Sequence, residues 1–356
     1  MKKSLKRIDI LLVIAAVILA VVYYGSALTG IRVKDRWYEE KFSSSQLMQQ
    51  ALDVVREEKE KLGILTDSKT DINKTGIIGV EWSQTTTTLG SLEAKRTSAN
   101  PDFAAVVVDM LKEVGLKEGD LVAMNLSGSF PALNIAAVSA IEVLKLEPVI
   151  ISSAGASTWG ANNPEFTYPD MERVLYERGI FKHKPSAVSL GGADDVGKDM
   201  EEGAAEALLE GFRRQGMRII CQPDFSLNLK ERLEIYQEAG KPVKCFINIG
   251  GNLLSSGGNE DFTRLKTGIV RDSSYSGGPK EKGLIQYYLD RGIPVINLLN
   301  IKSLAVQYGV PIDPYPIPGI GEGDIFYEAS YPYGIIAVCL AAAVAVLLLY
   351  GRRVRG

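Results

Sequence analysis

Hydrophobic and polar positions fall into three regimes along this chain. Ile10 to Leu28 and Gly334 to Tyr350 are uncharged apolar runs of 19 and 17 residues, and the stretch between them is charged and glycine-rich. At a rise of 1.5 Å per residue, runs of that length approach the roughly 20 residues that cross a bilayer core. Both are predicted to span. Ser43 to Leu62 reads as a polar helix with apolar residues at helical spacing and a stop at Gly63, a stalk or covering helix. From Gly76 onward short β-rich runs alternate with helical patterns. The predicted strands are Gly76–Trp82, Leu121–Leu126, Pro148–Ser152, Ala187–Leu190, Arg218–Cys221, Val243–Ile249 and Pro294–Leu298. Between them helices are predicted at Pro101–Val114, Ala132–Leu144, Pro169–Arg178, Asp199–Gln215, Asn228–Ala239 and Lys280–Arg291. Asn100 before Pro101, Gly115 after Val114 and Gly240 after Ala239 supply start and stop chemistry. Strand and helix alternating this often predict an α/β fold, a mostly parallel, doubly wound sheet with helices on both faces, flanked by N- and C-terminal transmembrane helices.

Charge orients that layout. Lys2, Lys3, Lys6 and Arg7 precede the first run and Arg352, Arg353 and Arg355 come after the second, so the positive-inside bias puts both termini in the cytoplasm. The expected order is a basic tail (1–9), a membrane helix (10–28), a stalk or covering segment (29–75), an extracytoplasmic α/β domain (76–330), a second membrane helix (331–350) and a basic tail (351–356). A cleavable signal peptide is the alternative for the first run, because Gly25, Ser26 and Ala27 offer small residues near its end. Either way the large domain lies outside the cytoplasm, at the cell membrane.

Hydrophobic residues make up 46% and charged residues 23% of the chain, ample for a packed core. Setting aside the seven terminal cations and Asp9 leaves 33 basic against 42 acidic residues, a net charge near −9 for the external part. Bulk attraction to nucleic acid is thereby excluded, and an anionic ligand needs a local site. Cys339 lies in the second apolar run, while Cys221 and Cys245 fall in separate strands and can pair only if those strands are neighbours. Free thiols are expected. No Cys/His spacing suits a metal, and no Walker motif or other cofactor signature is present.

The turns after the strands are more informative. Leu126 runs into Ser127-Gly128-Ser129-Phe130-Pro131, and Ile151 runs into Ser152-Ser153-Ala154-Gly155-Ala156-Ser157-Thr158-Trp159. Leu190 leads to Gly191-Gly192-Ala193-Asp194-Asp195, and Ile249 to Gly250-Gly251-Asn252. Ligands of parallel sheets bind beyond the carboxyl ends of the strands, and small residues there let a ligand approach the backbone. Asn125, Gly128, Ser152, Ser153, Thr158, Gly191, Gly192, Gly250, Gly251 and Asn252 are therefore candidate ligand-binding residues. Thr85, Thr86, Thr87 and Thr88, with Lys95 and Arg96 just ahead of a helix start, make a second candidate, a carboxylate or phosphate cradle.

Ser127 and Ser129 occupy a strand-to-helix turn suited to a nucleophile. The lone histidine, His183, precedes a strand and belongs at the opposite edge, so a Ser-His-Asp triad is disfavoured and Lys95 or Lys198 is the available base. Asp194 and Asp195 offer a hard-cation ligand or an acid and base pair, with a helix start as the plainer alternative. Ser255 to Pro279 reads as a long irregular stretch, a lid or partner surface.

Three strings carry a resemblance: Glu81-Trp82-Ser83-Gln84-Thr85-Thr86-Thr87-Thr88-Leu89-Gly90-Ser91-Leu92-Glu93-Ala94-Lys95-Arg96-Thr97, Asn125-Leu126-Ser127-Gly128-Ser129-Phe130-Pro131, and Gly191-Gly192-Ala193-Asp194-Asp195. With the terminal anchors they resemble the bacterial poly-γ-glutamate system membrane protein family. The resemblance implies a component accompanying the poly-γ-glutamate synthase, whose ligase and multi-pass subunits would be partners, as would the polyanionic polymer and the lipid bilayer. It does not imply which step the chain performs. Expected roles are binding of polymer or synthase, a serine-dependent hydrolase or transferase acting on the γ-amide chain, or a purely structural partnership.

Overall fold

The computed structural model describes residues 10, 12–22, 24, 31–65, 67–257, 266–272, 282–331 and 333–355, the side chains at 335 and 352–355 excepted. The chain divides into two units, 1–36 with 327–356, and 37–326. In the first, β1 (Ile31–Lys34) pairs antiparallel with β11 (Tyr327–Ser330), and the Arg32 guanidinium lies 4.0 Å from the centre of the Tyr327 ring. Positions 12–22 are helical, and a 23-residue helix, α11, runs Tyr333–Arg355. Among the described residues no helix is long and apolar enough to cross a membrane. Positions 11, 23 and 25–28 of the first expected span, and position 332 and the side chain at 335 in the second, lie outside the described residues. Neither span is a structural finding.

The second unit opens with α1 (Tyr38–Lys61), whose Met48, Ala51, Leu52 and Val55 recur at i, i+3, i+4 and i+7 and are buried. That stripe packs on α3 (Asp102–Val114) and α4 (Pro131–Val143), so this helix is a layer of the core. Between α1 and α3 lie β2 (Thr86–Thr88) and the short α2 (Leu92–Ser98). The predicted strand Gly76–Trp82 is absent, because side chains take the backbone groups that a ladder would use. Asp71 Oδ2 accepts from Gly76 N (2.6 Å), Lys59 Nζ donates to Gly76 O (2.7 Å), and Asn162 Oδ1 accepts from Val80 N (3.0 Å).

The rest of the chain supplies β3 (Leu121–Ser127), β4 (Glu147–Ser153), β5 (Ala156–Ser157), α5 (Tyr168–Glu177), β6 (Ala187–Ser189), α6 (Ala204–Arg214) and β7 (Ile219–Ile220). Then come α7 (Phe225–Gln237), β8 (Val243–Ile249), α8 (Leu253–Ser256), β9 (Gly268–Val270), α9 (Leu284–Leu289), β10 (Val295–Leu298) and α10 (Ile301–Tyr308). Among the described residues seven strands form one sheet in the order β7-β6-β4-β3-β8-β10-β9, parallel throughout except β9, while β2 pairs with β5 in a small parallel ribbon. The chain moves outward from β3 through β4, β6 and β7, then returns to β8 on the other side of β3, which makes the β3–β8 junction a topological switch point. Three strands separate β7 from β8, and Cys221 and Cys245 are both free. Part of the predicted irregular stretch Ser255–Pro279 forms the edge strand β9, and 258–265 and 273–279 lie outside the described residues, as do 280 and 281 of the last predicted helix.

One face of the sheet changes character along the strands. Near their amino ends Leu121, Ala123, Phe246 and Val295 pack with Ile235, Tyr236 and Tyr288, and the Phe246 and Tyr288 rings stack at 4.8 Å. Towards the carboxyl ends the same face turns polar. Asn125 registers with Asn248 and Asn248 with Asn297, while Ser127 registers with Ser153 and Ser153 with Ser189. Buried polar side chains must be hydrogen-bonded to be tolerated, so this layer is organised by partners as much as by packing.

Candidate functional site

The turns after β3, β4, β6 and β8 leave the sheet at its carboxyl edge, because the strands that precede them are parallel. They touch one another. A Cβ at Gly128 would lie 2.7 Å from Ala154 O, and one at Gly250 would lie 2.9 Å from Ser127 Cβ. Gly250 adopts φ +85°, a left-handed conformation that side chains resist. Thr87 of the β2 ribbon closes over the group, since Cβ atoms at Gly155 and Gly192 would meet its Cγ2 at 3.0 and 2.9 Å. Gly191 adopts φ +72° beside the Ser153 side chain.

Lys95 is the centre of this rim. It reaches from α2 with only 2% of its surface exposed, and its Nζ donates to Ser157 Oγ (2.7 Å) and to the Ser129 carbonyl. The same nitrogen lies 3.7 Å from the centre of the Phe130 ring. Among the described residues no carboxylate pairs with it, and burial pushes the ammonium down to about 7. Ser157 N in turn donates to Ser129 Oγ (3.0 Å), and Ser129 N to Ser127 Oγ (3.2 Å), which chains the β3 and β4 turns together. Arg96, the neighbouring cation, points elsewhere and forks onto Asp313, its Nε donating to Oδ1 at 2.7 Å and its Nη2 to Oδ2. The two cations therefore do not form one cradle.

The threonines of that expected cradle serve the ribbon. Thr85 Oγ1 donates to Asn162 O (2.9 Å), Thr86 Oγ1 accepts from Ser83 N (2.9 Å) and Asn162 Nδ2 (3.0 Å), and Thr88 O accepts from Thr158 N (2.9 Å). Thr158 Oγ1 accepts from Gly90 N (2.7 Å) and donates to Gly90 O (3.2 Å).

Asp195 belongs to a different cluster. Arg232 of α7, 1% exposed, donates to Asp195 Oδ2 (2.5 Å), Asn125 Oδ1 (2.6 Å), Ser189 Oγ (3.0 Å) and Asn228 Oδ1 (2.9 Å). Asn125 Nδ2 continues the chain to Ser255 Oγ (2.7 Å). Asp195 is thus a buried counter-ion, and Asp194, at φ +52°, pairs outward with Lys198. The two aspartates face different partners and do not act as a pair.

Other predicted residues are local. Asn252 caps α8, its Oδ1 accepting from Leu254 N (2.8 Å), and Gly251 is exposed beside it. Ser153 Oγ donates to Leu126 O (3.4 Å). Ser152, one residue earlier, projects to the opposite face of the sheet beside Tyr168 and Glu172. Burial pushes the Glu172 carboxyl up to about 8, with the neighbouring hydroxyls opposing, although neither reaches hydrogen-bond geometry with it. His183 Nδ1 lies 2.8 Å from Glu142 Oε1, ahead of β6 and away from the rim. Among the described residues no group of His, Cys, Asp and Glu is placed to hold a metal.

Sequence reasoning missed Ser157 and Arg232. Arg232 offers a signal only as one cation among several in a polar helix pattern, which reads as a solvated face. Ser157 offers none, since its meaning depends on Lys95 arriving from 62 residues away. No family model, curated protein or solved structure matches this chain.

Proposed function

We propose that this protein is a membrane-anchored, extracytoplasmic component of a poly-γ-glutamate synthesis and export system, presenting the carboxyl rim of its sheet to the polymer or the synthase. One observation carries the reading. The three strings that bear the family resemblance are far apart in sequence, yet the first folds against the other two on this rim, Thr87 over Gly192 and Lys95 onto Ser129. The apolar terminal runs and the basic residues beyond them support anchoring with both termini in the cytoplasm. Arg96, Lys198 and Lys302 are paired with Asp313, Asp194 and Glu93, so contact with polymer falls on hydroxyls and backbone amides.

Binding tests the reading directly. The full chain in detergent micelles is expected to bind immobilised poly-γ-glutamate saturably, with short γ-glutamyl oligomers competing and polyaspartate not. Failure to bind polymer, together with failure to co-purify with the synthase subunits, would remove it. Reporter fusions after residues 75 and 330 are expected to report an external location.

A further inference from the structure

We propose that Ser157 and Lys95 form a nucleophile and general base for acyl transfer at an amide or ester carbonyl, closed in this structure by the turn Leu89-Gly90-Ser91. The proposal goes beyond the polymer reading and does not rest on it.

Ser127, Ser129 and Ser157 are linked around Lys95, and their hydroxyls are not equivalent. Ser127 Oγ and Ser129 Oγ each accept from a backbone N–H, and Lys95 meets Ser129 through its carbonyl. Ser157 Oγ alone among these three faces the amine, at 2.7 Å, the separation at which a base can take a hydroxyl proton. The other buried lysines among the described residues are held differently. Lys41 pairs with Asp109 at 2.6 Å, and Lys59 donates to Gly76 O at 2.7 Å and Ile78 O at 3.2 Å. Lys95 has instead a serine hydroxyl, a carbonyl and an aromatic face, surroundings that supply no counter-charge. Such an amine spends part of its time neutral near pH 7, as a base must.

The chemistry balances without a cofactor. Ser157 Oγ bonds to the carbonyl carbon while its proton passes to Lys95 Nζ, and the carbon–nitrogen or carbon–oxygen bond of the substrate breaks. Lys95 returns the proton to the departing amine or alcohol. Water, deprotonated by the same amine, then cleaves the Ser157 ester and releases the acid, or a second amine takes its place.

The cover is visible. A Cβ at Gly90 would lie 2.7 Å from Ser157 Oγ, so the Gly90 backbone rests directly on the hydroxyl. Thr158 Oγ1 clips that turn through both Gly90 N and Gly90 O. Leu89 beside it is 80% exposed, which leaves the turn free to lift once the clip is lost.

A fluorophosphonate probe on the full chain in micelles tests this, with peptide mass mapping to locate the adduct. Phosphonylation of Ser157 is expected, with a rate that climbs through pH 7. Lys95→Met should slow it roughly 100-fold or more, and Thr158→Val should accelerate it, which a structural role for either residue would not produce. Absence of a Ser157 adduct in both folded wild type and Thr158→Val, or a rate indifferent to Lys95→Met, overturns the proposal. Should Lys95→Met not fold, Ser157→Cys decides. Its introduced thiol, mapped separately from exposed Cys221, is expected to react with iodoacetamide with a pKa below the ordinary value of about 8.5; an ordinary or raised pKa overturns the assignment. Labelling without binding of either polymer or synthase subunits leaves the dyad standing and the polymer reading fallen.

Discussion

Lys95 and Arg232 are both cations buried near the carboxyl ends of the same strands, and the fold treats them in opposite ways. Arg232 is compensated: Asp195 supplies the countercharge, and Asn125, Ser189 and Asn228 fill most of the remaining donors. Lys95 is left with a hydroxyl, a carbonyl and a ring. A permanently charged guanidinium cannot escape its desolvation cost by losing a proton, so it requires an acid partner. An amine can, and its environment sets how readily it does so. The compensated site braces the sheet, and the uncompensated one holds an amine whose burial favours its neutral form.

The largest expected effect comes from breaking the compensated site. Asp195→Ala leaves Arg232 buried without its carboxylate and should lower stability by roughly 3–5 kcal/mol in urea denaturation. The double variant Asp195→Leu with Arg232→Met should recover most of that loss. If it does not, the pair does more than neutralise itself.

Lys95 should show its character in pH dependence. Its folded value of about 7 lies below the unfolded value near 10.5, so the unfolded chain holds more protons between them. The stability associated with its neutral form is complete above about 10.5 and is lost as pH falls through about 7. The wild-type stability minus that of Lys95→Met should therefore rise with pH across this window, by up to about 1.4 kcal/mol per pH unit. Lys59, displaced in the same direction, cancels in the difference. A flat difference would place Lys95 in water.

The smallest effect belongs to Arg96. Its fork onto Asp313 is partly wet, with side chains 19% and 20% exposed. Arg96→Ala should cost about 1–2 kcal/mol, between an exposed pair and a buried one. A loss as large as that of Asp195→Ala would blur the contrast between braced and uncompensated cations.

Much of the frame is legible in the sequence because it is written in local terms. Val243–Ile249 is a strand as predicted, and Gly115, at φ +89°, ends α3 where expected. Both result from apolar run length and from the conformations that glycine tolerates, which neighbouring residues decide. Gly76–Trp82 reads as a strand and is not one, because the side chains of Lys59, Asp71 and Asn162 that occupy its backbone come from elsewhere in the chain. The short strand β9 escapes sequence reading because three residues carry too little pattern.

The site divides along the same line. That small polar turns come after β3, β4, β6 and β8 is a property of the sequence alone, and so is the alternation that makes those strands parallel. Pairing is another matter. Whether Lys95 joins Arg96 in a cradle or turns inward to Ser157, and whether Asp195 acts with Asp194 or neutralises Arg232, depends on contacts spanning 37 to 217 residues. Sequence determined most of the elements and which edge they share, because backbone preference and hydrophobic period act over a few residues. Tertiary structure decided which charges meet, because desolvation and hydrogen bonding are settled only when distant segments are packed together.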